Sequence, residues 1–124
     1  MLKLLDRTLG HGGLFAYLDA HWEADLPLAE ELEIVFGWDS DAIVMIDDFQ
    51  VPDDPGYGYD DYGPGKALTP DLVDPACRAF GLEQLYPVLA SANETGVKRG
   101  CVILLASKVR WAEPLVSTGL LRRI

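Results

Sequence analysis

Four residues of this sequence are of the types and in the places that could do chemistry together: Asp19, His21, Asp47 and Asp48. Asp19 closes the apolar run Leu14-Phe15-Ala16-Tyr17-Leu18, and Asp47-Asp48 closes a second, Ala42-Ile43-Val44-Met45-Ile46. Short apolar runs of this kind are the pattern of buried parallel strands. If the two lie side by side and point the same way, their carboxyl ends bring the three acids to one sheet edge, which is where open α/β sheets bind ligands. Neighbouring carboxylates repel, so the group invites a divalent cation. An all-oxygen set favours magnesium, calcium or manganese over zinc. His21 follows Asp19 on the same loop and is placed to act as a general base or a further ligand. The plainer reading, solvated strand ends and a packed loop histidine, stands beside this one.

The elements that must position these residues are legible from periodicity. Between the two runs, residues 26–36 are in helical phase, with Leu28, Leu32 and Val35 or Phe36 facing inward, Pro27 in the first turn and Gly37 at the end. Strand, helix and strand form a βαβ unit, whose crossover is right-handed. Leu2, Leu5 and Leu9 predict a short amphipathic helix over 2–9. Gly10-His11-Gly12-Gly13 precedes a strand instead of following one, the wrong context for a nucleotide-binding turn. Residues 51–66 are rich in proline, glycine and aspartate and predict a long irregular surface loop. Its acids Asp53, Asp54, Asp60 and Asp61 lack the spacing of a calcium loop, and Tyr57, Tyr59 and Tyr62 are expected to pack the loop onto the domain. Thr69-Pro70-Asp71 starts a helix that stops at Gly81. Residues 83–89 and 100–106 predict two strands joined through 91–96. The tail beyond residue 107 receives no element.

Composition bounds the function. The chain has 124 residues, enough for one domain spanning 1–124, with 49% hydrophobic and 24% charged residues. Its net charge of −10 repels phosphate backbones, so nucleic acid is not an expected partner. The longest apolar run, residues 101–106, falls far short of the roughly 20 residues a membrane-spanning helix needs. Asp6 and Arg7 interrupt the N-terminal apolar run, which argues against a signal peptide and for a cytoplasmic chain. Cys77 and Cys101 fit no zinc motif and suit a reducing compartment.

Several segments, in order, resemble a known pattern. Tyr17-Leu18-Asp19-Ala20-His21-Trp22, Leu26-Pro27-Leu28 with Glu30-Glu31-Leu32, and Val44-Met45-Ile46-Asp47-Asp48-Phe49 resemble the fourth strand, following helix and fifth strand of class I methyltransferases. Tyr86-Pro87, Glu94-Thr95-Gly96 and Arg99-Gly100-Cys101-Val102-Ile103-Leu104 resemble the family's sixth and seventh strands. The resemblance covers residues 14–106 and implies a truncated Rossmann-like fold, a mixed four-stranded sheet with flanking helices. In this chain's order the sheet would run first, second, fourth, third, with the last strand inserted antiparallel. Within that family, the magnesium-dependent O-methyltransferases are the nearest in motif. They place metal-binding acids where Asp19, Asp47 and Asp48 fall here, and some place a base near His21. The metal would hold and deprotonate a substrate hydroxyl for attack on a methyl group.

The glycine-rich loop and ribose-gripping acid of that family have no counterpart in these residues, so S-adenosylmethionine is not expected to bind the isolated chain. Two functions follow as expectations. One is a methyltransferase-like fragment with an acidic metal site, active only with a donor-binding half. The other is a non-catalytic remnant serving as a binding or assembly module. A third reading, an alternative to these two, is that the biological chain begins upstream of Met1. Truncation would leave the 14–19 strand at an edge with unpaired backbone, to be covered by the N-terminal helix, the tail, a second copy or a partner chain, of which a homo-oligomer or a partner chain is expected.

Overall fold

The computed structural model of the protein describes residues 2–5 (backbone only), 14–18, 28–109 and 112–124. Strand β1 is Leu2–Leu5, β2 is Phe15–Leu18, helix α1 is Leu28–Trp38 and β3 is Ile43–Asp47. After a long irregular segment come α2, Pro70–Phe80, and β4, Leu82–Pro87. A single 3-10 turn at Ser91–Asn93 precedes β5, Cys101–Ala106, and the chain closes with α3, Ala112–Ser117, and β6, Leu121–Arg123.

The strands form one mixed sheet in the order β1-β2-β3-β5-β4-β6. β2 and β3 are parallel, and β5 inserts antiparallel between β3 and β4. The inner order β2-β3-β5-β4 and the antiparallel insertion are those expected from the sequence. Side chains alternate between the two faces of the sheet. Val44 and Ile46 of β3, with Val102 and Leu104 of β5, join Leu32, Val35 and Phe36 of α1 and Val73 of α2 in the main core. Ile43, Ile103 and Leu105 point to the opposite face, where Ala112, Leu115 and Val116 of α3 pack. Burial on both faces explains why β3 and β5 read as continuous apolar runs.

The helices follow their local chemistry. α1 turns Leu28, Leu32, Val35 and Phe36 inward as its periodicity predicts, but it runs through Gly37 to Trp38. α2 begins after Thr69 with Pro70 in its first turn, where a missing N–H costs nothing. It ends where Gly81 adopts the left-handed conformation, φ 65°, and its amide donates to the Cys77 carbonyl. The Phe36 and Phe80 rings, 5.9 Å apart, join the two helices.

Two expectations are corrected, and a segment without a predicted element is filled. Residues 2–5 form a strand instead of the start of a helix; the remaining residues of that predicted helix, 6–9, lie outside the described residues. β1 runs antiparallel to β2 in the register Leu2 opposite Leu18 and Leu5 opposite Phe15, so it takes the outer edge of β2. Pairing an otherwise bare edge outweighs a short stretch of helical spacing. The tail, for which the sequence predicts no element, carries α3 and β6, and β6 pairs antiparallel with β4. Among the described residues the sheet thus has six strands instead of four, with a strand added at each flank. Among the described residues, no helix is long and apolar enough to cross a membrane.

Candidate functional site at the carboxyl edge

The parallel register of β2 and β3, with Leu18 opposite Ile46, brings the carboxyl ends of both strands to the same edge. Asp47 ends β3 there. Its carboxylate is held from two directions: the Tyr17 hydroxyl donates to Oδ2 at 2.8 Å and the Asp48 amide donates to Oδ1 at 3.0 Å. Those two bonds use about half of the roughly four lone-pair positions of a carboxylate, so acceptor capacity remains for another donor or a cation. Asp19 and His21 follow β2 in the sequence and lie outside the described residues.

Asp48 is differently placed. Its backbone is left-handed, φ 54°, a conformation aspartate tolerates better than most residues. This bend turns the chain out of the sheet. Its Oδ1 accepts from Arg99 Nε at 2.7 Å, and Arg99 Nη2 also donates to Asp60 Oδ1. The Tyr62 hydroxyl donates to the other oxygen of Asp60 at 2.8 Å. The pairing with Asp48, first, and then Asp60 holds the Arg99 guanidinium above its ordinary pKa, and the Asp60 bond raises that of the Tyr62 phenol. The predicted acid pair is therefore split: Asp47 is braced by neutral donors, and Asp48 is ion-paired.

Two glycines make this junction possible. A Cβ on Gly100 would stand 2.1 Å from the Phe49 carbonyl oxygen, and one on Gly58 would stand 2.9 Å from Arg99 Nη1. The Gly58 amide donates to the Lys98 carbonyl and the Gly100 amide to the Gly58 carbonyl, each at 2.8 Å, so the backbone on both sides of Arg99 is fixed.

The acidic loop is pinned by its own carboxylates. Asp53 pairs with both Nη atoms of Arg122, at 2.8 and 2.6 Å. Asp54 accepts from the amide and hydroxyl of Ser91 and from the Gly56 amide, and Asp61 accepts from the Gly63 amide. Tyr57 is buried and donates to the Leu89 carbonyl at 2.7 Å, the packing role its sequence suggests; Tyr62 is exposed. Cys77 and Cys101 are free, and burial pushes both thiols up. A cavity of about 470 Å³ lies between Pro52, Pro70, Leu82 and Ile124 and shares no residue with the carboxyl edge.

Fit to a divalent cation is therefore uneven. Asp47 fits, because neutral donors orient it and lone pairs remain. Asp48 fits poorly, because a guanidinium already neutralises it. Among the described residues no three His, Cys, Asp or Glu side chains converge as a metal site. Tyr17 and Arg99 are the contributors that sequence reasoning passed over. Tyr17 carries the one polar atom inside the first apolar run, and Arg99 is a cation placed just before a strand that pairs with β3. Compared with protein-family models, with curated proteins and with solved structures, the chain matches none of them.

Proposed function

We propose that this chain is the second half of a class I methyltransferase-like domain, and that its carboxyl edge holds a divalent cation for O-methyl transfer in concert with a donor-binding half. The observation that carries this reading is Asp47, fixed at the end of a central strand by Tyr17 and by the Asp48 amide, beside the strand from which Asp19 and His21 follow. The inner strand order supports it, since the resemblance implies that order. Asp47 and Asp19 would hold the ion, which would lower the pKa of a substrate hydroxyl; His21 is the candidate to take the proton. A glycine-rich cradle for the methyl donor is not expected from the sequence.

Two measurements test this. Magnesium, manganese or calcium at millimolar levels should raise the melting temperature in a concentration-dependent way, and Asp47→Asn should abolish the rise. At tenfold excess over Kd the gain is about 1.4 kcal/mol, or roughly 5 °C. Unchanged melting with all three ions would contradict the cation site. Calorimetric titration with S-adenosylmethionine should show no binding to the chain alone; a Kd near 1 μM, about −8 kcal/mol, would mean that the donor is gripped by residues read otherwise here.

One observation favours a second reading, a non-catalytic binding or assembly module. β1 takes the backbone edge of β2 on which the family's donor-binding half would continue the sheet. A chain closed in this way presents β1 and β6 as its own outer strands, surfaces for pairing with a second copy. Light scattering after gel filtration separates the two: a stable homodimer that ignores divalent cations supports the module.

A further inference from the structure

We propose that the outer edge of β4 at Leu82–Gln84, with the cavity beside it, receives a short uncharged segment of extended peptide from another molecule, laid end to end with β6. β4 has six residues and β6 has three, and β6 pairs with Leu85, Tyr86 and Pro87. Among the described residues no strand stands beside Leu82, Glu83 and Gln84 on that side. The cavity of about 470 Å³ lies at this place, lined by Leu82, Glu83 and Gln84 and by Arg123 and Ile124. Successive side chains of a strand point to opposite faces, so three consecutive residues share one cavity only where it meets the strand's edge. The cavity therefore continues the line of β6 past its last residue.

The backbone points the same way. Hydrogen-bonding groups alternate sides along an antiparallel strand. The Ser107 amide donates to the Gly81 carbonyl at 3.0 Å, on the β5 side, and the Val88 amide donates to the Leu120 carbonyl at 3.0 Å, on the β6 side. On that alternation Leu82 and Gln84 turn their amides and carbonyls toward the cavity, where an added strand would meet them. Pro52 and Pro70 line it too, and neither has an N–H to compete for an incoming backbone. The volume is in the range of ligand sites, and three residues of strand span about 10 Å. Charge fixes the class of occupant. Glu83 and Arg123, the two charged side chains of the lining, are already paired, Nε to Oε1 at 2.5 Å, and Arg123 also donates to Glu113. The paired lining has no net charge and Glu113 adds a negative one, so an acidic segment is repelled, whereas a neutral one breaks no ion pair.

Amide spectra of the nitrogen-15-labelled chain, titrated with the capped tripeptide acetyl-Val-Thr-Val-amide at millimolar concentrations, test this, and every arm uses the unaltered chain. The amide signals of Leu82, Glu83, Gln84 and Ile124 should shift together and saturably, while those of β1 at the far flank stay in place. The same peptide methylated on its backbone nitrogens keeps its side chains but cannot donate to a strand, and should bind about tenfold more weakly. Acetyl-Val-Glu-Val-amide should bind about threefold more weakly than the neutral peptide. No saturable shift at Leu82–Gln84 would overturn the proposal. Equal binding of the methylated peptide would make the place a plain apolar cavity, and equal binding of the acidic one would overturn the assignment of an uncharged occupant. A dimer in which the Leu82 and Gln84 amides resist hydrogen exchange, and lose that protection on dilution, would put a second copy where the peptide is proposed and overturn it as well.

Discussion

The β3–β5 pair and the segment from Asp48 to Leu68 meet at Gly100, yet they are held in different ways. In the strand pair, Val44, Ile46, Val102 and Leu104 are fully excluded from solvent, and their order comes from apolar burial on both sheet faces. The segment buries Phe49, Val51, Tyr57 and Leu68 as widely spaced anchors. Between those anchors its course is set by charged pins: Asp53 to Arg122, Asp54 to Ser91 and Asp60 to Arg99. The first region should therefore respond to lost volume, and the second to protonation and salt. The candidate site lies on the seam, with Asp47 belonging to the strand and Asp48 to the pinned segment.

The largest effect should come from the strand pair. Leu104→Ala removes a fully buried side chain from the main core and should cost about 3 kcal/mol in denaturant unfolding, with little dependence on salt. A cost below 1 kcal/mol would mean that this face is loosely packed. Next comes the seam itself. Gly100→Ala would push a methyl group into the Phe49 carbonyl and Val51, and should cost about 2 kcal/mol by forcing the backbone apart. Wild-type stability in that variant would place the Gly100–Phe49 contact elsewhere.

The pinned segment should yield smaller and condition-dependent changes. Arg99→Met leaves Asp48 and Asp60 facing each other without their counter-charge, and should cost about 1 kcal/mol at low salt. Raising the ionic strength to 1 M should shrink the difference, since screening weakens a partly exposed pair. A salt-independent loss would show that Arg99 acts through packing. The smallest effect concerns acid. The Arg122 bonds hold Asp53 below the usual carboxylate range, and the Ser91 bonds do the same for Asp54. A folded pKa below the unfolded one stabilises at pH values above the unfolded value, about 3.9, and the benefit fades as pH falls through the folded value. Asp54→Asn should therefore lower stability at pH 7, where the ionised carboxylate contributes, and flatten the further loss below about pH 4. An unchanged acid limb would remove Asp54 from the set of groups that titrate on unfolding.

The same contrast explains what was legible in the sequence. The two acid-ended apolar runs, the α2 boundaries at Thr69 and Gly81, and the antiparallel β4–β5 pair follow from local patterns of burial and turn chemistry. β1 and β6 did not, because strands of four and three residues draw their stability from the edges they pair with, Leu2 with Leu18 and Arg123 with Leu85. The site was half legible. Asp47 and Asp48 stand at the end of β3 as their pattern implies. Their different fates were not readable, because they depend on Tyr17 and Arg99, which are 30 and 51 residues away along the chain. Pairing at that distance is set by sheet register, and no local pattern records it.

The central claim is that the carboxyl edge, through Asp47, is where a divalent cation binds. Adding manganese in substoichiometric amounts to the nitrogen-15-labelled chain tests it most directly, because the ion broadens only the amide signals near it. The account predicts that Asp47, Asp48 and Phe49 broaden first, before Asp53 and Asp61 of the acidic loop, and that Asp47→Asn removes the effect. Broadening that begins on the loop, or that survives Asp47→Asn, would contradict it.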